Sequence, residues 1–328
     1  MGEVDILSRK YMSDRKHFAD AFNYYLYDGQ KEIAPEDLSP LDTAEIAVPY
    51  GNGARVPVQK YRDVIKQWKI MTDGKALYAI LGAENQANVH YAMPVKNGLY
   101  DFMNYSRQVE EAKNSYRSSS RKSRNKSRTG RRKKKKMPLS AAEYLSGFRK
   151  EDKLIPVITL VIFLSSAEWD GPMSLHEMLC TDDETLLSYV QDYKIHLLAP
   201  YSMGNSDFEK FQTDFGKVLK YIKYSGDKDK LHEITHESDA YKSVDNDSAV
   251  LMNAVTGSKL KIKAEEGKVD MCKAIDDMRK ESWEEGKELG HNEDIKNLME
   301  TMKLTAGQAM DALKIPLSER SKYNIPVI

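Results

Sequence analysis

Asp63 and the triplet Glu84-Asn85-Gln86 are the residues of this 328-residue chain whose types and placement offer chemistry. Asp63 closes Pro57-Val58-Gln59-Lys60-Tyr61-Arg62-Asp63, a stretch with strand-like flanks. Glu84 and Gln86 close the run Ala76 to Gln86, which is apolar and then turns abruptly polar. Side chains alternate along a strand, so Tyr78, Ile80, Gly82, Glu84 and Gln86 share one face. A carboxylate and an amide therefore emerge together from the end of a buried strand. If the strand carrying Asp63 is its neighbour, two carboxylates meet there with room for a hard, oxygen-seeking cation. That is the working geometry of a metal-dependent phosphodiesterase.

A competing motif is His232-Glu233-Ile234-Thr235-His236. It fits His-Glu-x-x-His, in which two histidines one helical turn apart bind zinc and the glutamate acts as base. It raises the alternative of a zinc metallopeptidase through His232, Glu233 and His236. Lys228-Asp229-Lys230 and Glu237-Ser238-Asp239 bracket it, as on a solvated helix face, and a third ligand would have to come from a distant acid such as Glu265. His90, His176 and His196 lie apart in sequence and form no evident catalytic set.

Composition sets the limits. The chain is long enough for one large domain or two small ones with a substantial core. Lysine plus arginine (50) equal aspartate plus glutamate (50), so net charge names no partner. Two cysteines, Cys180 and Cys272, make neither a disulfide framework nor a four-ligand zinc cluster. The N-terminus has no apolar signal core, and the longest apolar run, Leu154 to Leu164, is too short to span a bilayer. These features predict a soluble, cytoplasmic protein without a membrane partner. No Gly-rich phosphate loop is present, so no nucleotide cofactor is expected.

The elements that must position Asp63 and Glu84 follow from periodicity and turn chemistry. Phe18, Ala21, Phe22, Tyr25 and Leu26 recur at helical spacing, and Asp28-Gly29 ends that helix. Leu41 to Val48, Arg55 to Trp68 and Ala76 to Gln86 read as strands. Met93-Pro94 opens a helix, and Ser140-Ala-Ala-Glu143 has the form of a capping box. Leu154 to Leu164 suits a strand covered on both faces. Trp169-Asp170-Gly171-Pro172 reads as a turn with Trp169 packed over that strand. From Met173 onward the chain reads as mainly helical, with a charged helix over Met271 to Lys303 and a short one over Thr305 to Lys314 stopped by Pro316.

Helix, three strands, helix, strand, with polar residues at strand ends, describes an α/β core. In this order the chain resembles the PD-(D/E)XK nuclease superfamily, and within it the branch of recombination-promoting nucleases, or transposase-like proteins. The segments that carry the resemblance are Phe18-Ala19-Asp20-Ala21-Phe22-Asn23, Arg62-Asp63-Val64 and Leu81 to Gln86. Met93-Pro94-Val95-Lys96 with Tyr100, Pro156 to Val161, and Trp169-Asp170-Gly171-Pro172 complete them. It spans about residues 12 to 315, apart from a basic insert. The resemblance implies a restriction-endonuclease-like core over residues 1–172, interrupted at 114–138, with a mainly helical region over 173–328.

It also implies an activity: Mg²⁺-dependent DNA endonuclease, a hydrolase of phosphodiester bonds acting in DNA recombination or mobile-element biology, with Mn²⁺ able to substitute. Asp63 and Glu84 become metal ligands, joined by the Asn85 carbonyl. Gln86 stands where the superfamily has lysine. Glutamine can orient a water but supplies no charge, although Glu-x-Gln is common in this branch. Lys96 or Lys60 would then supply the cation, giving Asp63, Glu84, Gln86 and Lys96 as the catalytic set. Asp20 is an accessory ligand candidate from the first helix. An inactive DNA-binding protein on the same fold is the alternative, and a salt-bridged strand end with Arg62 pairing Glu84 is the purely structural one.

Between Arg117 and Lys136 lie twelve cations and no acid. Such a stretch buries no apolar surface and repels itself, so it is expected to be disordered alone. Its natural partner is DNA, because each phosphate neutralised releases condensed counterion. Arg121, Lys122, Arg124, Arg131, Arg132, Lys133 and Lys134 are the expected contacts, which would make the protein nucleoid-associated when bound. The charged C-terminal helix is a candidate surface for a homo-oligomer.

Overall fold

The computed structural model describes residues 2–47, 58–72, 75–125, 140–237, 239–262 and 267–323. Two helices open the chain, α1 (Glu3–Ser13) and α2 (Arg15–Tyr27). Asp14 separates them: its backbone is extended and its side chain accepts the Lys16 N–H at 2.7 Å. α2 ends as expected at Asp28, which adopts the left-handed conformation at φ 53°. Strands β1 (Leu38–Pro40), β2 (Ala44–Ala47), β3 (Val58–Tyr61), β4 (Val64–Thr72) and β5 (Lys75–Gln86) follow. Then come α3 (Met93–Asn125), α4 (Ala141–Ser146), β6 (Val157–Phe163), α5 (Glu184–Tyr189) and β7 (His196–Leu198). The remainder is α6 (Asn205–Phe208), α7 (Phe215–Tyr224), α8 (Lys228–His236), β8 (Val244–Asp245), α9 (Asn246–Thr256), β9 (Lys268–Val269), α10 (Met271–Met302) and α11 (Ala306–Ala312).

The protein is α/β, built on a five-strand mixed sheet in the order β1-β4-β5-β6-β7. β1, β4 and β5 are antiparallel neighbours, whereas β6 joins β5, and β7 joins β6, in parallel. A parallel pair needs a crossover, and α3 begins the one between β5 and β6. Register brings Gly82 opposite Thr159 and Glu84 opposite Val161. β6 is buried along almost its whole length, as its β-branched run required. Trp169 packs edge-on against Phe163 at 5.1 Å, also as expected.

Two expectations are corrected. The single strand over Arg55 to Trp68 is broken at Arg62-Asp63: β3 pairs with β2 in a separate two-stranded ribbon, and β4 belongs to the main sheet. Arg62 is buried and gives its backbone N–H to Thr43 O at 3.0 Å, one step beyond the Ala44–Tyr61 pair, so it still follows the β2–β3 ribbon before Val64 enters the main sheet. The basic insert expected to lack structure from residue 114 is helical through Asn125, because α3 runs on into it. The region after residue 172, which carries α5 to α11, also contributes β7 to the main sheet.

The chain forms two compact units, Met1–Leu231 with Asp247–Gly257, and His232–Asn246 with Ser258–Ile328. The first holds the whole main sheet. The second contains α10 and α11, packed around Ile295, Ala309, Met310, Ile315 and Tyr323. Asp270 caps α10 and Thr305 caps α11, close to the ends expected. Among the described residues no helix is long and apolar enough to cross a membrane.

Candidate metal centre at the β4–β5 end

At the entry of β4 and the end of β5, Asp63 and Glu84 come together with Lys96, from the first turn of α3. The Asp63 Oδ2 accepts the Asn85 backbone N–H at 3.0 Å, which pins the carboxylate to the edge of β5. In an extended strand the N–H and C=O of one residue point to the same edge. The Asn85 carbonyl therefore lies on the side that Asp63 occupies. Asp63 Oδ1 accepts from Arg9 Nη2 of α1 at 2.8 Å. Glu84 is 1% exposed, and its Oε2 pairs with Lys96 Nζ at 2.9 Å.

Glu84 Oε1 is buried and has no hydrogen-bond partner, and the same holds for both amide atoms of Asn85 and of Asn97. An open buried acceptor costs about 1–3 kcal/mol, more when charged. Burial pushes the Glu84 carboxyl above its ordinary value; Lys96 opposes the rise and the nearby Asp63 charge adds to it. For Lys96, burial favours the neutral amine, but the charge and hydrogen bond of Glu84 outweigh it and the ammonium is held. A cleft of about 340 Å³ lies beside the pair, lined by Arg9, Asp63, Asn85, Gln86, His90 and Lys96 among others. Glu84 does not line it, but its ion-pair partner and its two successors do.

A second polar cluster sits behind the first on the same face of β5. Arg62 is fully buried, with Nη1 on Thr159 Oγ1 at 2.5 Å and Nη2 on Asp101 Oδ1 at 2.6 Å. Thr159 donates to Asp101 Oδ1 at 2.7 Å and Tyr193 to Oδ2 at 2.5 Å. Burial, then the Asp101 charge, push the Tyr193 phenol up, so it stays a donor. Gly82 makes room: a Cβ there would stand 2.6 Å from Arg62 Nη1. Arg62 pairs with Asp101, and the ion pairs at the strand end are Arg9–Asp63 and Lys96–Glu84, in place of the Arg62–Glu84 pair of the purely structural alternative.

Asp20 lies elsewhere in the first unit. It is 3% exposed and accepts from Gln212 N, Thr213 N and Thr213 Oγ1 at 2.6–2.8 Å. Burial raises its carboxyl above the ordinary value and these bonds oppose the rise. Its oxygens thus tie α2 to the segment before α7, and it does not line the cleft. Of the expected DNA contacts, Arg121, Lys122 and Arg124 ride on the C-terminal end of α3, while Arg131 to Lys134 lie outside the described residues.

His232 and His236 meet Asp276 of α10 in the second unit, a third partner that sequence reasoning missed; Glu265 lies outside the described residues. Arg9, Asp101, Thr159 and Tyr193 were missed as well. An arginine on the exposed-looking first helix carries no local signal that it will reach Asp63. Compared with protein-family models, with curated proteins and with solved structures, the chain shows no match in any of the three.

Proposed function

We propose that this chain is a Mg²⁺-dependent DNA endonuclease built on a PD-(D/E)XK-like core. The observation that carries the reading is the convergence of Asp63, Glu84 and Lys96 at one strand end, with a buried carboxylate oxygen of Glu84 left without a partner. The element order α2, β1, β4, β5, α3, β6, with three antiparallel strands and a parallel crossover, supports the same core.

The residues present fit a hard cation. Asp63, Glu84 and the Asn85 carbonyl would hold Mg²⁺ through oxygen, and the two acids balance its charge. Such an ion lowers the pKa of a bound water and offsets charge building on phosphoryl oxygens. The chain's own groups supply the rest. Lys96, 2.9 Å from Glu84 and lining the same cleft as Gln86, would supply the cation that position 86 lacks. Gln86, in the cleft wall, orients a water through its amide. Arg9 fixes Asp63 and brings a second cation to the cleft. The basic tract supplies salt-sensitive, sequence-independent attraction for DNA.

A second reading, a DNA-binding protein that has lost catalysis, is favoured by Gln86 and by the guanidinium of Arg9 already on Asp63. Incubation with supercoiled plasmid and Mg²⁺ or Mn²⁺, beside EDTA controls and Asp63→Ala and Glu84→Ala proteins, separates the two. The nuclease reading expects metal-dependent nicking that falls by about 10²-fold or more in both variants. Salt-sensitive binding without cleavage by the parent would leave only the second reading.

A further inference from the structure

In the second unit, His232 and His236 stand one turn apart on α8, their rings stacked at 4.0 Å, and both face the same carboxylate. His236 Nε2 is 3.2 Å from Asp276 Oδ2, and His232 Nε2 is 3.4 Å from Asp276 Oδ1. One ligand atom from each residue can be chosen so that all three lie within 4.8 Å of one another. Metal bonds of about 2.0–2.1 Å at tetrahedral angles put neighbouring ligand atoms about 3.4 Å apart. The two histidine–carboxylate separations are close to that edge, each to a different oxygen of Asp276, and the histidine nitrogens need only a small adjustment to share one ion.

The other ring nitrogen of His236 supplies the independent observation. Its Nδ1 lies 2.9 Å from the carbonyl oxygen of His232. A carbonyl only accepts, so the proton of a neutral His236 ring sits on Nδ1 and Nε2 carries the lone pair. A lone pair aimed at a carboxylate is repulsive unless a cation lies between them or the ring gains a second proton. A backbone carbonyl orienting the far nitrogen is also how metal-binding histidines are commonly held.

The scaffold beneath is fixed. Ile234 and Thr235 of α8, and Cys272 and Ile275 of α10, are buried. Cys272 Sγ donates to Thr235 O at 2.9 Å, so the sulfur is engaged in joining the helices. His232 is left half-buried and His236 and Asp276 exposed beside that seam.

We propose that His232, His236 and Asp276 form a binding site for a divalent transition-metal ion of the zinc class, separate from the oxygen-ligand centre of the first unit. Two imidazoles and one carboxylate select Zn²⁺, Co²⁺ or Ni²⁺ over Mg²⁺. The bound ion clamps the end of α8 to the first turns of α10. The proposal concerns binding and does not depend on the nuclease reading.

The test uses tag-free, full-length protein stripped with EDTA, freed of chelator, and titrated with Zn²⁺ in excess Mg²⁺ by calorimetry. Expected is uptake of one Zn²⁺ per chain, weakened by about 100-fold or more in His236→Ala and by about 10–100-fold in Asp276→Asn. Asp63→Ala, which alters only the first-unit centre, should retain it. Co²⁺ should give visible absorption in the parent that His236→Ala lacks. Absence of stoichiometric uptake would mean that these groups are an imidazolium–carboxylate pair only. Uptake unchanged in both second-unit variants would overturn the assignment equally.

Discussion

Two polar clusters share α3, one through Lys96 and the other through Asp101, little more than a helical turn apart, yet they are built on opposite plans. Around Asp101, both terminal nitrogens of Arg62, the Thr159 hydroxyl and the Tyr193 phenol converge on one carboxylate and its neighbours, away from solvent. Around Glu84, one carboxylate oxygen has Lys96, the other has nothing, and the partner acid Asp63 borders a cleft. A buried carboxylate engaged through both oxygens, as Asp101 is, fixes a backbone; one with an open buried oxygen beside a cleft is held ready for a ligand. The inner cluster is thus the scaffold of the outer one, and it sets the break at Arg62-Asp63 that delivers Asp63 to the site.

Breaking the inner cluster should have the largest effect. Asp101→Ala leaves the Arg62 charge buried without its carboxylate and should cost about 3–5 kcal/mol, a fall in Tm on the order of 10 °C by thermal melting. An unchanged Tm would show that the two clusters do not differ in this way. Lys96→Ala attacks the outer cluster and should lower plasmid nicking about 10²-fold. Its stability should change less, since burial already raises the Glu84 carboxyl and the group can take up a proton when its partner leaves; a loss as large as that of Asp101→Ala would contradict this.

Asp20→Ala sharpens the contrast from outside both clusters. Losing the acceptor of three hydrogen bonds should cost about 1–3 kcal/mol, with nicking per folded molecule unchanged. A catalytic loss without a stability loss would restore Asp20 as a ligand. The smallest effect is expected from replacing Arg131, Arg132, Lys133 and Lys134 with glutamine. The slope of log affinity against log salt should fall by up to about 3–4, while cleavage at low salt persists.

Much of this site was legible in sequence where signals are local. The Asp28 stop, the Ser140 cap and the strand ending in Glu84-Asn85-Gln86 each follow from short-range chemistry. So does the side-chain alternation that puts Gly82 and Glu84 on one face, where Gly82 meets Arg62. What was not legible depends on distant chain. Arg9 reaches Asp63 across 54 residues, and Arg62 is buried only because Gly82 lacks a Cβ and Thr159, Asp101 and Tyr193 arrive from three other elements. β7, of three residues, is too short to carry a period. Asp276 is 40 residues from His236, so the motif alone could not name it.

Glu84→Gln tests the central claim most directly, with nicking and thermal melting followed across pH on the same samples. Burial holds the Glu84 carboxyl above its ordinary value, so folding favours its protonated form. That contribution is complete below the ordinary carboxylate range and is lost as pH rises through the raised value. The neutral amide removes the loss. The account predicts metal-dependent cleavage reduced to background together with a Tm at neutral pH that holds or rises, reflecting up to about 1 kcal/mol of added stability, and that converges with the parent in acid. Cleavage that survives the substitution, or a Tm that falls with it at neutral pH, would mean that Glu84 is part of the scaffold and not of the site.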